Sequence, residues 1–306
     1  MSDEIPFDKR LPLVPGKVEE VMPGLRRLMA DNPGPFTFQG TVSYIVGRGE
    51  VAIIDPGPLI DDHIAALLQV VRGERVTHIL VTHTHRDHSP AAAPLKAATG
   101  AKTYAEGPHR RARDLHLGEL RPPDSAADRD FRPDIALADG DIVSGADWAL
   151  EAVATPGHTA NHMAFALKGM NVLFSGDHVM AWSTPVVAPP DGSMRDYMAS
   201  LEKLARRPET RYFPAHGGAV RDAATFVQHY IRHRRAREAS LLARLAKGEA
   251  DIPALVAAVY AGLDPRLTRA AGLSVLAHLE DLVARGLVAT DGAPAPGSRY
   301  RLLVAG

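Results

Sequence analysis

Residues 76–90 read Val-Thr-His-Ile-Leu-Val-Thr-His-Thr-His-Arg-Asp-His-Ser-Pro. The first six, Val76 to Val81, have the β-branched, apolar character of a strand. Ser89, Pro90 and the alanine-rich run after them predict an N-cap, a proline at the first helical position and a helix. His83, His85, Asp87 and His88 therefore fall in a strand-to-helix loop, where side chains can be aimed at one point. Neutral imidazole and carboxylate are natural ligands for first-row metals when thiolate is absent. The bland alternative is a solvated polar loop. Three histidines and an aspartate within six positions, at the mouth of an apolar strand, argue against it.

Outward from this stretch, Val42 to Val46 and Val51 to Ile54 read as a hairpin turning at Gly47-Arg48-Gly49. Further strands are expected at Lys102 to Ala105, Trp148 to Ala154, His162 to Leu167, Val172 to Ser175 and Arg211 to Phe213. Helices are expected at Ile60 to Val71 and Met194 to Ala205. The polar stretch His109 to Pro133 has no clear period and is expected to be a long loop near the site. Past Thr225 the character changes: helical patterns at Phe226 to Lys247, Ile252 to Tyr260 and Thr268 to Arg285 precede a strand–turn–strand ending. Helices followed by a hairpin suggest a winged helix, so residues 1–225 and 226–306 are expected to form two domains, in keeping with 306 residues.

The chain has no cysteine and a formal net charge of −1. Disulfides, thiolate metal sites and cysteine nucleophiles are excluded, and no global charge favours nucleic acid. The start has no secretory pattern and no apolar run reaches a membrane span, so a cytoplasmic location without membrane contact is expected. Neither a Gly-x-Ser-x-Gly elbow nor a phosphate-binding Gly-x-x-x-x-Gly-Lys-Ser/Thr loop is present.

Three later segments repeat the order of strand, glycine turn and ligand-type residue: Pro156-Gly157-His158, Gly176-Asp177-His178 and Ala215-His216-Gly217. A lone histidine after a glycine is usually a loop residue. All four motifs in this order resemble the metallo-β-lactamase superfamily, with His-x-His-x-Asp-His, Gly-His, Gly-Asp and His-Gly spread over roughly residues 14 to 225.

The resemblance implies an α/β fold, a four-layer αβ/βα sandwich with the ligands along one edge, followed by the small winged-helix domain. It implies two divalent ions, zinc first, with iron or manganese as alternatives. His83, His85 and His158 would hold one ion, Asp87, His88 and His216 the other, and Asp177 would bridge them. Asp87 and Asp177 are the expected catalytic residues, and Asp55 is expected to support the ligands from behind. Two cations in one site make a water between them a hydroxide nucleophile near neutral pH and polarise the scissile group, giving a metal-dependent hydrolase.

The segments Asn32 to Thr37, Gly40 to Tyr44 and Tyr197 to Leu204, with the tail, resemble the β-lactamase-like protein 2 branch, which includes an endonuclease acting on single-stranded RNA. The expected substrate is an ester, thioester or phosphodiester. Thioester hydrolysis of the glyoxalase II type, single-stranded RNA cleavage, and a winged-helix binding protein with a vestigial metal site are the alternatives. The partners implied are a small-molecule ester or thioester, or single-stranded RNA, and a homodimer is compatible with the family. From Ile231 onward there are 11 Lys and Arg against 7 Asp and Glu, a difference of +4. Arg232, Arg234, Arg235 and Arg237 form a cluster that can track phosphates or be a solvated face. Among the other histidines, His78 is expected to be packed, His162 structural, His178 a candidate for the substrate pocket, and His229 and His233 solvated.

Overall fold

The computed structural model describes residues 5–116 and 126–303. Seven strands form the first sheet, in chain order: β1 (Glu19–Met22), β2 (Leu25–Met29), β3 (Val42–Val46), β4 (Glu50–Ile54), β5 (Arg75–Leu80), β6 (Lys102–Ala105) and β7 (Ile135–Ala136). The first four pair antiparallel, and β4 through β7 pair parallel. The second sheet holds β8 (Ile142–Ser144), β9 (Ala149–Ala154), β10 (Met163–Leu167), β11 (Val172–Gly176) and β12 (Arg211–Pro214), with only β11 and β12 parallel.

Alternation along the strands explains why the sheets stack. In β3, Val42, Tyr44 and Val46 face a core shared with Met163, Phe165 and Leu167 of β10. The intervening Ile45 joins Leu28, Ile53 and Ile79 on the outer face, under α1 (Asp61–Val70) and α2 (Ala92–Thr99). On the far side, Ala164 and Ala166 of β10 lie under α3 (Met194–Leu204) and α4 (Ala223–Leu245), which contribute Tyr197, Leu201, Val227 and Tyr230. Both faces of these central strands are covered, so β3 and β10 are buried along their whole length. The result is the expected four-layer αββα sandwich.

The tail adds β13 (Ala250–Asp251), α5 (Ile252–Val259), α6 (Thr268–Ala284), β14 (Val288–Thr290) and β15 (Arg299–Leu302), with sheet order β13-β15-β14. This is the helix-and-hairpin arrangement of a winged helix around its own core, which includes Leu255, Val275, Leu279 and Tyr300. α4 runs unbroken through position 225, and its first half packs on the sandwich while Leu241 and Leu245 enter the tail core. Ala277 of α6 reaches the sandwich core, and Arg113 and Arg195 form ion pairs with Glu280 and Asp281 of α6.

Three local expectations change. Ser89 does not cap α2, whose first residue is Ala92 and whose preceding residue Ala91 offers no side-chain cap. Ser89 instead donates to Asp128 Oδ2 at 2.6 Å, tying the motif loop to the segment after it. The strands β1, β2, β7, β8 and β13 add to those expected; they are short or carry charged residues and lack a clean period. His229 and His233 are half-buried rather than solvated. In the long loop His109 to Pro133, residues 117–125 lie outside the described residues, and the remainder holds no helix or named strand.

His278 of α6 is buried. Burial, and then the cations Arg234, Arg237 and Arg285 with His233, push its pKa down to about 3. A folded pKa below the unfolded value of about 6.5 means that the folded chain binds fewer protons between the two. Stability from this group is therefore complete above about pH 6.5 and lost as pH falls toward 3. The difference in thermal midpoint between the wild type and His278→Leu is expected to move in favour of the variant from pH 7 to pH 5. A difference independent of pH refutes this.

Candidate metal centre

The parallel strands bring the motif residues to one edge. Asp55 follows β4, His83 to His88 follow β5, His158 follows β9, Asp177 follows β11 and His216 follows β12. In α/β sheets the ligand crevice lies at the carboxyl ends of the strands, and all seven expected ligand positions meet there.

Three groups of donor atoms come together, each within 4.8 Å: His83 with His85 and His158, Asp87 with His88 and His216, and His83 with His88 and Asp177. In the first group His85 Nδ1 is 2.9 Å from His83 Nε2 and 3.2 Å from His158 Nε2. In the second, Asp87 Oδ2 is 3.1 Å from His216 Nε2 and 3.4 Å from His88 Nε2. Asp177 lies between them, with Oδ1 3.4 Å from His216 Nε2 and Oδ2 3.6 and 3.7 Å from the Nε2 atoms of His88 and His158.

Three of the outer nitrogens have acceptors behind them. His158 Nδ1 donates to the Val186 carbonyl at 2.7 Å, His216 Nδ1 to the Gly40 carbonyl at 3.2 Å and His88 Nδ1 to Asp55 Oδ2 at 3.1 Å. An acceptor at Nδ1 holds a proton there and turns Nε2 toward the cluster, where a metal would take the place of any proton on it. Asp55 is itself held by the backbone N–H and hydroxyl of Thr82, both at 2.8 Å.

Removing the acceptor behind His88 by Asp55→Ala is expected to weaken metal affinity about 10- to 100-fold, the usual cost of losing such a partner. A chelator-competition titration measures this, and unchanged affinity refutes the support assigned to Asp55.

Electrostatics fit a cation. Burial raises the pKa of both Asp87 and Asp177, but the neighbouring His88 and His216 overcome it and hold both carboxyls well below their usual range. Burial lowers His83, His85 and His158, leaving that trio neutral. For His216, burial opposes charge, yet Asp177 and Asp87 push its pKa up to about 10, and His88 is raised in the same way by Asp87, Asp177 and Asp55. The buried atoms His88 Nε2, His216 Nε2 and Asp177 Oδ1 have no hydrogen-bond partner. Such atoms are costly unless something binds them, so the donor set fits divalent ions.

Contacts without a side-chain signature also shape the site. Thr41 reaches Asp87 Oδ2 at 3.4 Å and is held by Asn32 at 2.9 Å. The backbone carbonyls of Gly40 and Val186 carry no residue-type signal at all. His162 is buried, accepting from the Asp177 backbone N–H at 3.2 Å, and His78 stacks on Tyr104. His178 is fully buried against Tyr197 rather than facing an open pocket. Trp182 stacks on Phe38, with ring centroids 4.9 Å apart, beside Gly217.

An αββα sandwich with this cluster at its strand ends defines a class of generally metal-dependent hydrolases. The chain belongs to the metallo-β-lactamase superfamily, whose family model matches residues 36–216. A second model, the beta-lactamase associated winged helix domain, matches residues 252–297. The chain is 31% identical over 236 residues to a Beta-lactamase-like protein 2 homolog of Caenorhabditis elegans, covering 76% of this chain and 74% of that protein. It is 29% identical over 283 residues to Lactamase-like protein adaB of Aspergillus niger, covering 86% and 81% respectively. Among solved structures, a metallo-beta-lactamase family protein of Thermus thermophilus superposes with a TM-score of 0.75 at 26% identity, over 93% of this chain and all of that one. A beta-lactamase domain protein of Burkholderia ambifaria shares the fold with a TM-score of 0.75 at 22% identity, over 95% and 96%.

Proposed function

We propose that the cluster holds two divalent metal ions, zinc first, and that the chain hydrolyses a small-molecule ester or thioester. The observation that carries the two-ion reading is the position of Asp177, whose two oxygens face His216 on one side and His88 and His158 on the other. His83, His85 and His158 hold one ion, Asp87, His88 and His216 the second, and Asp177 spans both. When bound, two such ions supply Lewis acidity to the scissile carbonyl or phosphoryl group and bring the deprotonation of water near neutral pH. The residues of the chain keep the donors in place. Val186, Gly40 and Asp55 hold the rings of His158, His216 and His88 from behind, and Thr41 fixes Asp87. No serine or cysteine nucleophile is needed.

Support for a small substrate over single-stranded RNA comes from the arginine cluster. Arg234 is buried and donates to Pro185, Arg237 donates to Val259 and lies over Tyr260, and Arg235 pairs with Glu202. Of the four, only Arg232 lacks such an intramolecular engagement among the described residues, which leaves little free charge to track phosphates. α6, the helix that enters the groove in winged-helix nucleic-acid readers, has eight of its seventeen residues buried, Ala277 in the sandwich core and most of the others in the tail core.

The test is a panel of thioesters, lactones and single-stranded RNA offered to metal-loaded protein, beside Asp87→Ala. Turnover of a thioester or lactone that Asp87→Ala abolishes is the expected result. RNA cleavage lost in the same variant would instead make the chain a nuclease. About two ions per chain without any hydrolysis would favour a binding protein.

A further inference from the structure

The segment 178–186, which leads from Asp177 to the carbonyl behind His158, is gripped at successive carbonyls by side chains. Tyr197 of α3 donates its hydroxyl to His178 O at 2.8 Å. The Tyr230 hydroxyl lies 2.6 Å from Met180 O and 2.8 Å from Ser183 O, and accepts from the Met180 N–H. Arg234, one helical turn on in α4, donates Nη2 to Pro185 O at 2.6 Å. The next carbonyl, Val186 O, receives Nδ1–H of His158.

Arg234 is an expensive way to fill that space. Its side chain is buried, with no carboxylate partner among the described residues, an unpartnered Nε, and its guanidinium over the Tyr197 ring at 5.0 Å. An apolar residue of similar volume would pack there without the cost of burying an unpaired cation. What the guanidinium supplies is a rigid donor at one carbonyl, a single residue from the carbonyl that orients His158.

We propose that the Tyr230–Arg234 face of α4 is a positioning clamp for the metal centre, in which Arg234 sets the Val186 carbonyl and through it the ring of His158. The proposal rests on the two-ion reading above. It makes the helix that leads into the winged helix part of what determines metal affinity.

The experiment titrates the full-length metal-free protein with Co(II), following visible absorption and bound metal by dialysis. The variants are Arg234→Met, Arg234→Lys and the near-isosteric Tyr230→Phe, with the exposed Arg235→Met as control. Arg234→Met is expected to weaken one of the two ions about 10- to 100-fold and leave the other, with Arg234→Lys intermediate, Tyr230→Phe weakened in the same sense and Arg235→Met unchanged. A cation that merely sat near the site would have the opposite effect, since its removal would tighten cation binding. Should Arg234→Met fail to fold, Tyr230→Phe decides. Wild-type binding of two ions with unchanged affinity in Arg234→Met and Tyr230→Phe overturns the clamp alone. Failure of the wild type to take up metal overturns the two-ion reading and the clamp with it.

Discussion

Asp177→Ala is expected to lower metal-dependent hydrolysis by about a thousand-fold or more, equivalent to roughly 4 kcal/mol of transition-state stabilisation, and, on the proposed two-ion reading, to cost the protein one ion. Asp177 is 6% exposed and, among the described residues, is the carboxylate whose oxygens face both halves of the cluster. Without it, His216 loses the larger source of its favoured positive charge, while His88 keeps Asp87 and Asp55 beside it. The fold should survive. The backbone N–H of Asp177 keeps its bond to His162 Nε2, and the side chain anchors no core residue. In the metal-free state the variant should melt near the wild type, because removing the acid also weakens the pull that keeps His216 protonated. Turnover within tenfold of the wild type, with metal content verified, would remove Asp177 from the site.

The candidate ligands of this site were legible because ligand types are few and stand next to strand ends. His83 to His88 occupy one loop, and the three distant motifs each add a single residue beside a glycine, so order and context pointed to a set of candidates that the fold brings together. Strands such as Val42 to Val46 were legible from their apolar, β-branched residues, while the four-layer stacking was implied by the resemblance that the four motifs carry. The outer contacts were not. Val186 O and Gly40 O are main-chain atoms, present at every position, and only the three-dimensional path of the chain selects them. Asn32 and Thr41 are ordinary polar residues that become supports because β3 begins beside the crevice. The arginine cluster was only partly legible for a related reason. Spacing along a helix tells which residues share a face, but not that Arg234 would be buried against a loop from another part of the sandwich.

Gly157→Ala is the second large effect expected, and it separates backbone freedom from steric space. Gly157 has φ +141°, and an added Cβ would sit 2.3 Å from Tyr197 Cα and 2.5 Å from Tyr197 N. Those atoms are backbone in the first turns of α3, which cannot swing aside as a flexible side chain would. The Gly157 carbonyl also accepts from the Ser193 N–H at 2.9 Å, where Ser193 caps that helix. An alanine must therefore push α3 outward or unwind the turn that carries His158. The expected cost is about 3 kcal/mol or more, from overpacking added to an unfavourable backbone conformation. Metal loading should fall with it, since His158 is the next residue. Gly100→Ala supplies the comparison: Gly100 has φ +73° at the end of α2, but nothing lies within 4 Å of its added Cβ. Only the left-handed conformation is penalised there, at roughly 1–2 kcal/mol, with metal binding intact. Denaturant unfolding of both variants with parallel metal titration distinguishes them. Equal destabilisation, or full metal affinity in Gly157→Ala, would mean that the turn before His158 yields without disturbing the ligand, and that α3 does not fix the edge on which the site is built.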